Sequence, residues 1–188
     1  MSKEKNITLI VALIFLGISS RFLFLVDGVP SIPNFTAIGA VALFGSYFLR
    51  KKSSIVIPLL VLWVSDLVLN NVVYAEYFDS FSFFGDPWVY GGFVATILVG
   101  WYLIKKLSVK NVVSASILGA LIFFIITNFS VWLTSGLYTK DISGFFTCYI
   151  KAIPFFRNAL LGNLFFSAVL FGAYSLISRR SLKEASLT

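Results

Sequence analysis

Histidine is absent from this 188-residue chain, and cysteine occurs once, at Cys148. Without imidazole, and with a single thiolate, the usual zinc, copper and haem ligand sets cannot be assembled. The lone cysteine excludes an intrachain disulfide and leaves the redox compartment open. Charge is scarce: 12% of the residues are Asp, Glu, Lys or Arg, against 59% hydrophobic. Acid–base and nucleophilic catalysis have little to work with. The sequence has no histidine base, no closely spaced carboxylate pair within a span, and no Ser or Cys with an evident activating partner. It also lacks a phosphate-binding loop, so it carries no recognisable means of hydrolysing ATP. Neither an enzyme nor a bound cofactor or metal is expected.

What is present is apolar surface. A mean hydropathy of +0.93 is more than a soluble domain of this size can hide, whereas a bilayer can cover it. Six apolar runs cover roughly residues 7–26, 34–49, 55–74, 87–104, 111–133 and 154–178, most of them near the ~20 residues that cross a bilayer. The second is short and is expected deep in the bundle or across a locally thin region. Basic residues alternate with the runs. Lys3 and Lys5 precede the first, Arg50, Lys51 and Lys52 follow the second, Lys105, Lys106 and Lys110 follow the fourth, and Arg179, Arg180 and Lys183 follow the sixth. The other loops carry Asp27, then Glu76, Asp79 and Asp86, then Lys140 with Asp141. The positive-inside rule therefore predicts an all-α, multi-pass protein of the inner (cytoplasmic) membrane, with six transmembrane helices and both termini in the cytoplasm. It also explains the net charge of +7 without a nucleic-acid partner. The first run continues through Arg21 without a small-residue cleavage site, so it reads as an uncleaved helix. With no linker or composition break, residues 1–188 read as a single domain.

Strongly polar residues interrupt these runs on one side. Arg21, Asn34, Thr36, Asp66, Asn70, Asn128, Arg157, Asn158 and Asn163 fall almost entirely in the predicted outer half. At 1.5 Å per residue, Asp66 lies about 20 Å from Ser53, Asn128 about 25 Å from Asn111 and Arg21 about 21 Å from Ile7. Asn34 and Thr36 open the second run, where free backbone N–H groups add positive potential. Polar groups in hydrocarbon face one another, a cavity or a solute, so the pattern points to an outward-opening pocket if the helices face each other. Two arginines oppose one carboxylate within the spans. An Asp66–arginine pair would leave one guanidinium free to take a carboxylate or phosphate. The competing reading is that Arg21 and Arg157 snorkel to headgroups while Asp66 staples two helices.

Aromatic residues make up 18% of the chain. Trp88, Trp132, Tyr138 and Tyr149 fall near the predicted outer interface, where belt residues are expected. Trp132, one turn beyond Asn128, could instead stack on a planar solute. The stretches 75–86 and 139–153 are too aromatic for solvated loops, and are expected to rest on the membrane or to cover a cavity.

Four strings carry a family resemblance. They are Asn34-Phe-Thr-Ala-Ile-Gly-Ala-Val-Ala-Leu-Phe-Gly45, Pro58-Leu-Leu-Val-Leu-Trp-Val-Ser-Asp-Leu-Val-Leu69, Phe123-Phe-Ile-Ile-Thr-Asn-Phe-Ser-Val-Trp132 and Pro154-Phe-Phe-Arg-Asn-Ala-Leu-Leu-Gly-Asn163. They resemble an uncharacterised bacterial family of membrane proteins associated with transport. More distantly, the chain is similar to the S components of energy-coupling factor (ECF) transporters. That resemblance implies a six-helix bundle, an outward pocket for a vitamin-sized solute, and partnership with a transmembrane T subunit and ATPase subunits. The A-x-x-x-A docking signature of S components is missing from the first helix, where Ala12 is followed four residues later by Leu16.

The expected function is uptake of a small, vitamin-like nutrient, planar or anionic. Arg21 and Arg157 would neutralise it, Asn34, Thr36, Asn128, Asn158 and Asn163 would orient it, Asp66 would pair with an arginine or a ligand donor, and Trp132 would stack. The partners are membrane lipids and the solute. Two rival readings are an ion-coupled carrier with Asp66 as the protonating group, and a non-transporting membrane scaffold.

Overall fold

A computed structural model describes residues 3–25, 32–49 and 51–185, all of its regular structure helical. Val26, Asp27 and Arg50, which figure in the expected spans and loop charges, lie outside the described residues. Six α-helices follow in order: α1 (Lys3–Arg21), α2 (Ile38–Phe48), α3 (Lys51–Val68), α4 (Pro87–Leu103), α5 (Val109–Thr134) and α6 (Ile142–Ala185). A 3₁₀ turn at Leu23–Leu25 follows α1, and α3 widens into a π-helical turn at Leu69–Val73 before a second 3₁₀ turn at Ala75–Tyr77.

The chain sets the helix ends with local chemistry. Asp86 caps α4 by accepting from the Trp88 backbone N–H at 2.9 Å, and Pro87, which has no N–H to satisfy, takes the first helical position. Ser108 caps α5 through the Asn111 N–H at 3.2 Å. Gly136, with φ of 70°, turns the chain out beyond α5 in the left-handed conformation that a Cβ disfavours. Asp141 then starts α6, its carboxylate accepting from the Gly144 N–H at 2.7 Å and the Thr139 hydroxyl at 2.9 Å.

Here the structure corrects an expectation. The stretch 139–153 is not a loop to Pro154: from Ile142 onward it is the start of α6, which runs unbroken through Pro154. At 1.5 Å per residue α6 is about 66 Å long, twice the ~30 Å hydrocarbon layer. Among the described residues, three helices have the length and apolar composition to cross a membrane: Lys52–Val73, Val109–Thr134 and Ile142–Ser178. Ile7–Arg21, Ile38–Phe48 and Pro87–Leu103 are apolar but shorter. Phe15, Val56, Leu98, Ile117, Phe165 and Val169 project outward, the surface that lipid would cover in a multi-pass helical membrane protein.

The shortest helix organises the rest. From Ile38 to Ser46 every residue of α2 is buried, and α2 packs against all five other helices. Around it α1 meets α3, α3 meets α4, α4 meets α5 and α5 meets α6. The seam between α6 and α1 is filled by the segment before α2, whose Thr36 backbone lies so near Gly162 that a Cβ there would stand 3.1 Å from the Thr36 nitrogen and oxygen. Small and hydroxyl residues hold the helices together, as expected where lipid offers no hydrophobic drive between them. The Ser116 hydroxyl donates to that of Ser167 at 3.0 Å across α5 and α6, and Ser46 lies against Gly100.

Candidate functional site

Because α2 has only 11 residues, it is about 16 Å long and fills only part of the bundle axis. Beyond its N-terminal end the surrounding helices enclose a cavity of about 660 Å³, within the size range of small-molecule sites. All six helices contribute to its wall: Arg21 from α1, Ile38 and Gly39 from α2, Leu62 from α3, Thr96 from α4, Asn128 from α5 and Asn163 from α6. Exposed Lys151 and Phe155 mark its open side.

The sequence-nominated residues divide cleanly. Arg21, Asn34, Thr36, Asn128 and Asn163 line this cavity together; Asp66, Trp132, Arg157 and Asn158 do not. Arg21 and Asp66 form the expected ion pair, Nη1 to Oδ1 at 2.5 Å. The same Nη1 donates to the Ser65 hydroxyl at 2.6 Å and the Leu62 carbonyl at 3.2 Å, while the Tyr90 hydroxyl donates to Asp66 Oδ2 at 3.1 Å. Asp66 thus sits behind the wall as a counter-charge and a staple between α1, α3 and α4. The pair is neutral overall, and Arg21 faces the cavity as a hydrogen-bond donor.

Three placements need correction. Arg157 is exposed on α6 with no hydrogen bond or ion pair among the described residues, on a face turned away from the cavity; it has the position of a snorkelling cation. Asn158 instead secures the segment before α2, its Nδ2 donating to the Pro33 carbonyl at 3.1 Å. Trp132 belongs to a cap over the α5–α6 turn. Its Nε1 donates to the Thr139 carbonyl at 3.0 Å, its ring lies 5.4 Å from that of Phe145, and Lys140 bonds its carbonyl.

The 75–86 stretch does not line the cavity either. It is tied to α3, with the Ser82 N–H donating to Asn71 Oδ1 at 2.7 Å and Trp63 Nε1 donating to the Phe83 carbonyl at 3.0 Å. These bonds hold the stretch on α3, with Tyr77, Phe81, Phe83 and Phe84 exposed.

Lys151 is the residue that the sequence reading missed. It lines the cavity and has no ion pair or hydrogen bond among the described residues. A signal existed: Cys148, Lys151, Ala152, Phe155, Phe156, Ala159 and Asn163 recur at three- and four-residue steps, one face of a helix continuous through Pro154. The cavity floor is polar. The N-terminus of α2 points there, with Thr36, Ile38 and Gly39 in the wall, and the first N–H groups of a helix have no partner inside it. Buried Asn163 lies against Gly39 and donates to the Ser116 carbonyl at 3.4 Å. Phe93, Phe123, Phe124 and Phe156 make the sides apolar.

A model of a family of unknown function (DUF6580) matches residues 1–185, and the chain belongs to that family. No curated protein and no solved structure matches it.

Proposed function

We propose that this member of a family without an assigned activity is a solute-binding membrane protein. It takes a small anionic solute from the outer side into the central cavity, as a subunit of ECF S-component type. The observation that carries this reading is the charge state of the cavity. The guanidinium of Arg21 is balanced by Asp66, whereas the ammonium of Lys151 is balanced by no described residue. A cavity with one uncompensated cation, a helix N-terminus at its floor and apolar sides attracts an anion and rewards its desolvation. The cation is Lys151 rather than Arg157.

The test is to purify the protein and identify released small molecules by mass spectrometry. Lys151→Ala and Asn128→Ala are expected to empty the site, and Arg157→Ala is expected to leave it filled. Retention of the same solute by both cavity variants overturns the assignment. Partnership with a T subunit and ATPases predicts that a tagged chain brings these subunits with it out of native membranes. An ion-coupled carrier would need Asp66 to release its proton cyclically, and the closed Arg21–Asp66–Tyr90 cluster opposes that. Transport by vesicles containing this chain alone, abolished by Asp66→Asn, would restore it.

A further inference from the structure

Resting on the cavity reading, we infer that the solute is a ring-bearing monoanion, about two rings long, with a polar group at the end opposite its acid. Three features of the wall set these terms separately. Valence follows from charge. With Arg21 paired to Asp66, Lys151 is, among the described residues, the one unpaired side-chain cation in the wall, which matches one carboxylate better than a phosphate dianion. Shape follows from the sides. Phe93, Phe123, Phe124 and Phe156 enter from α4, α5 and α6, and Phe93 lies 4.7 Å from Phe123 and Phe124 4.9 Å from Phe156 between ring centroids. Tilted rings of this kind offer faces and edges to a flat guest. A flexible chain would gain area there but lose more rotamer freedom on entering.

Polarity and length follow from the floor. Asn163, packed against Gly39 at the start of α2, lies about 12 residues down α6 from Lys151, or roughly 18 Å by helical rise. Subtracting the reach of both side chains leaves a guest of about 10 Å, the length of two fused rings with their substituents. Its far end meets donors: the α2 N-terminus and the Arg21 nitrogens other than Nη1, which make no bond among the described residues. A carbonyl, ether or ring nitrogen there meets these donors, while a hydroxyl or amine meets Asn163 Oδ1, left as an acceptor because its amide nitrogen donates to the Ser116 carbonyl. The acid therefore points to the open side at Lys151 and the polar group to the floor.

The experiment titrates purified protein calorimetrically with three probes: 6-methoxy-2-naphthoate, its neutral amide, and decanoate. Each probe is compared between wild type and one variant, which cancels its partition into detergent. Lys151→Gln is expected to weaken the naphthoate about tenfold or more and to leave the amide unchanged, with Lys151→Arg restoring the acid. Phe156→Leu is expected to weaken the naphthoate severalfold and to leave decanoate unchanged. Equal naphthoate affinity in wild type and Lys151→Gln overturns the anion assignment, and an equal loss for decanoate in Phe156→Leu overturns the ring assignment. Silence from all three probes, in a preparation that releases another class of solute to mass spectrometry, overturns this solute class and leaves the cavity reading standing. Silence together with an empty preparation overturns both.

Discussion

Asp66 and Arg21 hold one another where neither could stand alone. Their side chains are 8% and 19% exposed, and removing one partner of such a pair strands the other in an apolar wall, at a cost of about 3 kcal/mol or somewhat more. Asp66→Leu and Arg21→Met should therefore each lower the melting temperature in detergent, while the double variant should melt above either single variant. A double variant that loses the sum of both would show that the two side chains act independently, and would sink the stranding argument. Gly39 makes a second residue-scale case. A Cβ there would lie 1.9 Å from Asn163 Oδ1, so Gly39→Ala must displace that amide from the cavity floor, an overpacking worth about 1–3 kcal/mol. Adding Asn163→Ala removes the clash and should recover stability without recovering solute binding. Recovery of both would mean that Asn163 only fills space. The ion pair was legible in the sequence, because one carboxylate among apolar spans has few possible partners. Which arginine it takes was not, since that depends on helix rotation.

At the scale of the element, α6 shows what sequence reading loses at a proline. Pro154 and the aromatic stretch before it read as a loop meeting a helix, yet the helix continues, and with it the face that carries Lys151. Local propensity disfavours a proline inside a helix by about 3 kcal/mol, but packing of 142–153 against α5 overrides it: the Tyr149 hydroxyl donates to the Ile125 carbonyl at 2.8 Å and the Cys148 thiol reaches the Asn128 carbonyl. The start of this element depends on Asp141. Its carboxyl is held below the usual range, first by the Gly144 N–H and then by the Thr139 hydroxyl. A group whose folded pKa is depressed stabilises fully above its unfolded pKa, and the contribution is lost as pH falls through the lower folded value. Amide exchange at Gly144 and Phe145 should therefore speed up, relative to the rest of α6, as pH drops below the ordinary aspartate range. Asp141→Asn keeps an acceptor at the cap and should remove this acid sensitivity, while Asp141→Ala should show fast exchange at every pH. An unchanged profile in Asp141→Asn would place the acid sensitivity elsewhere.

For the whole molecule, the number and order of helices were legible because each run is apolar and bounded by charge or turn residues. The cavity was half legible. Five of the nine nominated side chains line it, and the others mark where sequence spacing cannot say which way a helix turns. Its orientation across the membrane rests on loop charge, and for the proposed solute this decides between uptake and its reverse. The ends of α1, α3 and α5 and the starts of α4 and α6 share the cavity end, as the Arg21–Asp66, Tyr90–Asp66, Asp86–Ser130 and Tyr149–Ile125 contacts show. The acidic, aromatic 75–86 stretch lies at this end. Lys105 and Lys106 lie at the other, where α4 hands over to α5, and each such charge on a short loop favours retention in the cytoplasm. Exposed Asp79 and Lys105 make a direct test in a Cys148→Ala background. A membrane-impermeant maleimide on intact cells should label Asp79→Cys at once and Lys105→Cys only after lysis. The opposite pattern would turn the mouth beside Lys151 towards the cytoplasm. The same charge and ring chemistry would then serve a solute leaving the cell, and uptake from outside would have to be abandoned.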